Sequence, residues 1–260
     1  MKKAGIDPKI LGVVLVLLIL PAWEAIRIGG SISPLLMPPL VSIGSALLQG
    51  LLQGTLLVQI GLSLVYILAG AGIALVLAFF TLWISNLSPA VHHAVGILGA
   101  LFHPLPGIVL LPIIILWAGI GPSAVLVVIV HSVFWPVLTN LQAGYRSIPE
   151  TWRMTGQNYE LAGWKFLVFI ALPATFPYLL AGLRIAWARG WRALISAEML
   201  FGAIAGAGGL GWYIHSRRVF MDSPGLFAGI LVIMLIGSLV ESMMFSLIER
   251  RTIQKWGMSL

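Results

Sequence analysis

Cysteine is absent from this chain of 260 residues, and charge is scarce. Without a thiol there is no disulfide staple and no thiolate metal site. Only 9% of the residues are Asp, Glu, Lys or Arg, and none of these occurs in the 118 consecutive positions from Ile28 to Tyr145. A soluble domain carries about 25% charged residues to keep its surface solvated, so this composition excludes a water-soluble fold. An apolar content of 60% also excludes a disordered chain. Motifs that carry chemistry are missing as well. There is no Gly-x-x-x-x-Gly-Lys-Ser/Thr, and Gly-Lys never occurs, so the chain does not cradle ATP in a P-loop. No Ser-His-Asp set or paired carboxylates are visible. His92 and His93 would point about 100° apart on a helix with no carboxylate nearby, which does not make a metal site. His103 and His131 fall inside apolar runs and read as core histidines. No catalytic residue and no metal ligand is assigned.

Long apolar runs are what the sequence does have, and about 20 such residues cross a bilayer as a helix. The chain is predicted to be one all-α integral membrane domain over residues 1–260, with about six spans at 10–28, 61–84, 94–116, 124–141, 166–200 and 225–247. Pro104, Pro106 and Pro112 lie inside the third span and predict a kinked or broken helix, tolerated where protein or a wet cavity satisfies the freed carbonyls. Lys2, Lys3 and Lys9 put the N-terminus in the cytoplasm, and Arg250, Arg251 and Lys255 put the C-terminus there, consistent with an even number of spans. The first run lacks an Ala-x-Ala cleavage pattern and reads as an uncleaved helix. Ser42, Ser45, Gln49 and Gln53 recur every three or four positions. That stripe fits either a helix lying in the outer interface or the start of a span whose polar side meets other helices. Gly202–Asp222 reads as a Gly-rich outer loop, in which Gly202, Gly206 and Gly208-Gly-Leu-Gly211 permit close backbone approach or a flexible gate.

Two segments concentrate polarity. Residues 142–165 contain Arg146, Glu150, Arg153, Glu160 and Lys165, and the span count places them in the cytoplasm. The fifth span carries Arg184, Arg189, Arg192 and Glu198. A cation at the bilayer centre costs about 2.5 to 3.5 kcal/mol on insertion scales, so these side chains need partners or water. Arg184 and Glu198 would be about 21 Å apart along the helix axis and cannot pair. Two readings stay open: a polar pathway that favours anions, or structural charges. In the second, Arg184 snorkels inward, Glu198 snorkels outward, and the middle pair bonds to carbonyls or to a neighbouring subunit.

The runs Trp164-Lys165-Phe166, Ile170-Ala-Leu-Pro173-Ala-Thr-Phe-Pro177, Gly182-Leu-Arg184 and Ala197-Glu198-Met-Leu200 resemble the permease subunits of bacterial ATP-binding cassette importers, in the branch serving nitrate, taurine and aliphatic sulfonates. Pro104-Leu-Pro106, Leu116-Trp-Ala-Gly119, Gly209-Leu-Gly211 and Val240-Glu241 extend the resemblance over nearly the whole chain. It implies a type I importer fold of the bacterial inner membrane in which 142–165 is the coupling segment. Met154, Thr155, Gly156, Tyr159, Glu160, Gly163, Trp164 and Lys165 would then contact the ATPase. The family motif Glu-Ala-Ala-x-x-x-Gly falls here on Met154, Thr155 and Gly156, with its glycine on Glu160. The implied partners are a second copy of the chain, membrane lipid, two cytoplasmic ATPase subunits that bind the ATP and Mg, and a periplasmic or lipid-anchored binding protein. The chain itself would hold no cofactor and no nucleic acid, and it would not be an enzyme. Arg184, Arg189, Arg192 and Glu198 are the candidates for the translocation path. The expected cargo is a small anion such as a sulfonate, taurine or nitrate. A secondary transporter driven by an ion gradient, or a membrane-embedded enzyme, is the alternative.

Overall fold

A computed structural model describes residues 8–205, 208–252 and 255, and these residues form helices with no strand. In hydrocarbon an open sheet edge has no water to satisfy it, whereas a helix bonds its own backbone. Lys2, Lys3 and Gly206 lie outside the described residues. The helices are α1 (Pro8–Gly29), α2 (Leu40–Leu52), α3 (Thr55–Ser85), α4 (Pro89–Phe102), α5 (Leu111–Ala118), α6 (Pro122–Arg146) and α7 (Glu150–Asn158). Then come α8 (Trp164–Phe166), α9 (Leu172–Ala205), α10 (Leu210–Val219), α11 (Ser223–Leu239) and α12 (Phe245–Arg251). A π-turn at Leu167–Ala171 joins α8 to α9, and another at Val240–Met244 joins α11 to α12.

Among the described residues four stretches are long and apolar enough to cross a bilayer: Thr55–Ser85, Pro122–Arg146, Trp164–Leu200 and Ser223–Arg251. A bent pair of helices makes a fifth if the two count as one span. Helix α4 and the run Gly107–Ala118 meet at 93°, where the prolines at 104 and 106 remove backbone donors. Helix α1 covers the first apolar run.

The core is built from α3, α6 and α9, which pack along much of their length. Leu56, Ile67, Val128, Ile129, Val133, Val137, Leu141 and Leu194 are buried there. Close approach depends on small residues. A β-carbon on Gly70 would come 2.5 Å from Ile129 Cγ2, and one on Gly182 2.8 Å from Asn140 Cβ. Lipid gives little hydrophobic drive between helices, so such contact is the main source of their attraction.

The expected loop at 202–222 is corrected. Helix α9 continues to Ala205, and Leu210–Val219 is helical. Leu210, Tyr213 and Ile214 recur at the spacing of one helix face and bury it against α9 and α11. The glycines that made the segment read as a loop sit only at its start. Helix α2 is a separate helix, divided from α3 at Gly54, whose φ of 77° suits a residue without a β-carbon. It packs on α11, and its stripe of Ser42, Ser45, Gln49 and Gln53 borders a polar cavity shared with Tyr213, Arg217 and Asp222. The polar side therefore meets other helices.

Candidate functional site

The break in the third crossing opens a cavity of about 270 Å³ beside α6 and α9. His103, Pro104 and Pro106 form one wall, His131, Ser132 and Trp135 of α6 a second, and Arg189, Arg192 and Ser196 of α9 a third. Gly107 closes against α6 so tightly that a β-carbon there would stand 2.5 Å from Ser132 Oγ. Arg189 and Arg192, three residues apart, share one helix face and both border this space. Arg189 Nη1 donates to the His103 carbonyl at 3.1 Å and lies 3.4 Å from His103 Nε2. Arg192 Nε donates to the Ala188 carbonyl at 2.9 Å. The middle pair thus does bond to carbonyls, as one of the two sequence readings required, yet it also lines a cavity, as the other did. Among the described residues both ring nitrogens of His131 are shielded and lack a hydrogen-bond partner. No Asp or Glu lines the cavity.

The other two charges of α9 lie elsewhere. Arg184 Nη2 meets Glu249 Oε2 of α12 at 3.3 Å, and its guanidinium stands 5.9 Å from the centre of the Phe245 ring. Glu198 is 3% exposed. Its Oε2 accepts from the Gly211 N–H at 2.9 Å, and Ser63 Oγ of α3 contacts both its oxygens. The structure therefore joins Arg189 with Arg192 and leaves Arg184 and Glu198 with helix-to-helix contacts. Ser63 and the His103 carbonyl escaped the sequence reading because nothing in a single sequence sets the rotational phase of one helix against another.

Residues 142–165, expected to be the coupling segment, resolve into two parts. Helix α6 runs on to Arg146, whose Nη2 lies 2.7 Å from His92 Nε2 and ties the start of α4 to the end of α6. After Ser147-Ile-Pro149, the short helix α7 forms with Glu150 in its first turn, where an anion complements the helix dipole. Arg153 Nη2 donates to the Tyr145 carbonyl at 3.0 Å and fixes α7 to α6. Gly156 rests on the start of the next span, and a β-carbon there would come 2.8 Å from Ile170 Cδ1 and 2.9 Å from Phe166 Cδ2. Around this seat Trp152, Met154, Tyr159 and Trp164 are all exposed, Tyr159 at 75%. Thr155 and Lys165 are also exposed.

Glu160 and Gly163 complete the segment with positive φ angles of 54° and 56°. The Glu160 N–H donates to the Gln157 carbonyl at 2.9 Å and the Leu161 N–H to the Gly156 carbonyl at 2.8 Å. This bond pair is a Schellman motif with Glu160 at the left-handed position usually held by glycine. The family motif's glycine falls on the same residue.

Residues 74–254 match the family described as binding-protein-dependent transport system inner membrane component. The taurine transport system permease protein of Escherichia coli (strain K12) is 30% identical over 239 residues, spanning 90% of this chain and 86% of that protein. A putative aliphatic sulfonates transport permease protein of Bacillus subtilis (strain 168) is 26% identical over 249 residues, 94% of this chain and 87% of that one. The nitrate import permease protein of Leptolyngbya laminosa is 28% identical over 122 residues, 47% of this chain and 42% of that protein.

Proposed function

The chain belongs to the family of inner membrane components of binding-protein-dependent transport systems, and from that premise we propose that it is the permease subunit of an ATP-binding cassette importer for a small anion. It is a transport component of the inner membrane and not an enzyme. The observation that carries the reading is α7: a short helix outside the spans, seated on the chain through Gly156, with Trp152, Met154, Tyr159 and Trp164 exposed. Aromatic surface in a polar segment calls for a protein partner. A chain without a nucleotide motif must take its energy from one.

In this reading two copies of the chain enclose the path and residues 154–166 dock on a cytoplasmic ATPase that binds ATP and Mg. A periplasmic or lipid-anchored protein delivers the solute. Both termini face the cytoplasm, in keeping with Arg250, Arg251 and Lys255 at the end of the chain. Closure of the ATPase pair, passed through α7 to α6 and the start of α9, would change which side of the membrane the cavity faces. Arg189 and Arg192 border the route, while Arg184 and Glu198 hold helices together. Taurine, aliphatic sulfonates and nitrate name the relatives, and all three bear an oxyanion group.

The absence of native cysteine permits a direct test. Tyr159→Cys or Trp164→Cys is expected to cross-link to a co-expressed ATPase, with uptake that stops when ATP is depleted. No cross-link, together with uptake that survives ATP depletion and collapses with an uncoupler, would identify an ion-gradient transporter instead. Solute turnover in detergent, without either energy source, would point to an enzyme.

A further inference from the structure

We infer that the cavity at the broken crossing is itself a binding site for one oxyanion group, sulfonate-like in charge and size, so that the permease selects its cargo as well as passing it on. The inference rests on the importer reading only for the identity of the solute. Its basis is an imbalance of charge and of hydrogen bonds. Arg189 uses one terminal nitrogen on His103, and Arg192 uses only its Nε, on Ala188. Both arginines border the cavity, and among the described residues that line it there is no carboxylate to meet them. Two cations on one face in the membrane are costly unless an anion or water answers them.

Geometry narrows the ligand. Guanidinium forks match oxygens held in a plane or a tetrahedron, as in nitrate, bicarbonate, sulfonate and phosphate. The Ser196 hydroxyl is a further donor at the mouth, whereas Ser132 already gives its proton to the Val128 carbonyl at 2.8 Å. His131 lines the cavity, but both its ring nitrogens are shielded by protein and give the ligand no hydrogen bond. Trp135, Pro104 and Pro106 make an apolar wall for a short alkyl tail. One water takes about 30 Å³ of liquid volume. A cavity of about 270 Å³, open on one side, has room for a head group with a short alkyl tail.

The test uses the permease with its ATPase in phosphatidylcholine nanodiscs, without nucleotide or binding protein, and titrates ethanesulfonate and nitrate by calorimetry. Ethyl methyl sulfone, similar in shape and neutral, is the control. Saturable binding of ethanesulfonate but not of the sulfone is expected. Arg192→Gln should weaken it about tenfold or more, the loss expected for a charge-assisted contact. Ser196→Asp, which places a like charge at the mouth, should abolish it. Arg192 and Ser196 are exposed, so both variants keep the fold, and an unchanged gel-filtration profile verifies this. Absence of saturable binding by the parent, equal binding of the sulfone, or undiminished binding by both variants overturns the site.

A second set of nanodiscs containing phosphatidylglycerol separates the sources of the oxyanion. If lipid phosphate fills the cavity and excludes ethanesulfonate there, the solute site is refuted. ATP-driven uptake that persists without direct binding refutes the site and leaves the importer standing. Direct binding by a protein whose uptake ignores ATP does the reverse.

Discussion

Ser63 of α3 and Glu198 of α9, 135 positions apart in sequence, meet in the buried core, with Ser63 Oγ 2.8 and 2.9 Å from the two carboxylate oxygens. The pair also captures the backbone entering α10: the Leu210 N–H donates to Ser63 Oγ at 2.9 Å, and the Gly211 N–H to Glu198 Oε2 at 2.9 Å. One hydroxyl and one carboxylate thus hold three helices together. Ser63→Ala removes a donor to Glu198 and the acceptor of Leu210 at once. Leaving buried groups unsatisfied costs about 1–3 kcal/mol, so the unfolding midpoint of the purified permease should fall measurably. Gly209→Ala is expected to do at least as much, because a β-carbon there would overlap both Glu198 Oε1 and Ser63 Oγ. Midpoints equal to the parent's for both variants would show that the cluster does not hold the α10 entry.

This cluster marks where sequence reading stops. Composition alone identified the bilayer as solvent, and three prolines announced the broken crossing, since a proline's missing N–H acts within its own helix. Polar residues 142–165 were legible as a segment outside the spans for the same local reason. Arg189 and Arg192 were legible as costly charges. Their meeting with His103 was not, because it depends on how far α9 is rotated against the bend. The four charges of α9 stayed open between two readings in sequence, and packing divides them into a cavity pair, a partner of Glu249 and a buried carboxylate that does not snorkel. Helix α10 was missed because Gly208, Gly209 and Gly211 dominate the local pattern, although its buried face is amphipathic.

Arg184 is expected to be structural and dispensable. Its contact with Glu249 is 3.3 Å long, and the side chains are 39% and 25% exposed, so solvent screens the pair. Such bridges contribute about 1 kcal/mol or less. Arg184→Gln and Glu249→Gln should each shift the melting point slightly and leave the uptake rate near the parent's. A double-mutant cycle should give a small coupling. Loss of uptake in Arg184→Gln, with an intact fold and normal Arg192→Gln transport, would move the charged path from the cavity to the α9–α12 contact.

Gly156→Leu should uncouple the chain without unfolding it. The new side chain must displace Ile170 and Phe166, which a β-carbon alone would already approach to 2.8 and 2.9 Å. Both lie where the next span begins, and neither is among the buried core residues. Helix α7 would be pushed off its seat, so cross-linking from Tyr159→Cys and solute-stimulated ATP hydrolysis should drop together while gel filtration stays normal. Retention of both signals would mean that α7 transmits nothing through this contact.

Glu160→Gly is expected to stabilise the coupling segment. Glu160 holds a φ of 54°, and a side chain in the left-handed region costs about 1–2 kcal/mol relative to the ordinary helical one. Glycine occupies that region freely but is also more mobile in the unfolded chain, which returns part of the gain. The Schellman bonds from Glu160 to Gln157 and from Leu161 to Gly156 involve only backbone, so the substitution keeps them. The net effect should be slower amide exchange at 156–161 and equal or higher resistance to proteolysis there, with ATPase coupling preserved. Glu160→Ala keeps the β-carbon and should show none of this. Faster exchange in Glu160→Gly than in Glu160→Ala would mean that the carboxylate, and not the backbone conformation, is what this position supplies.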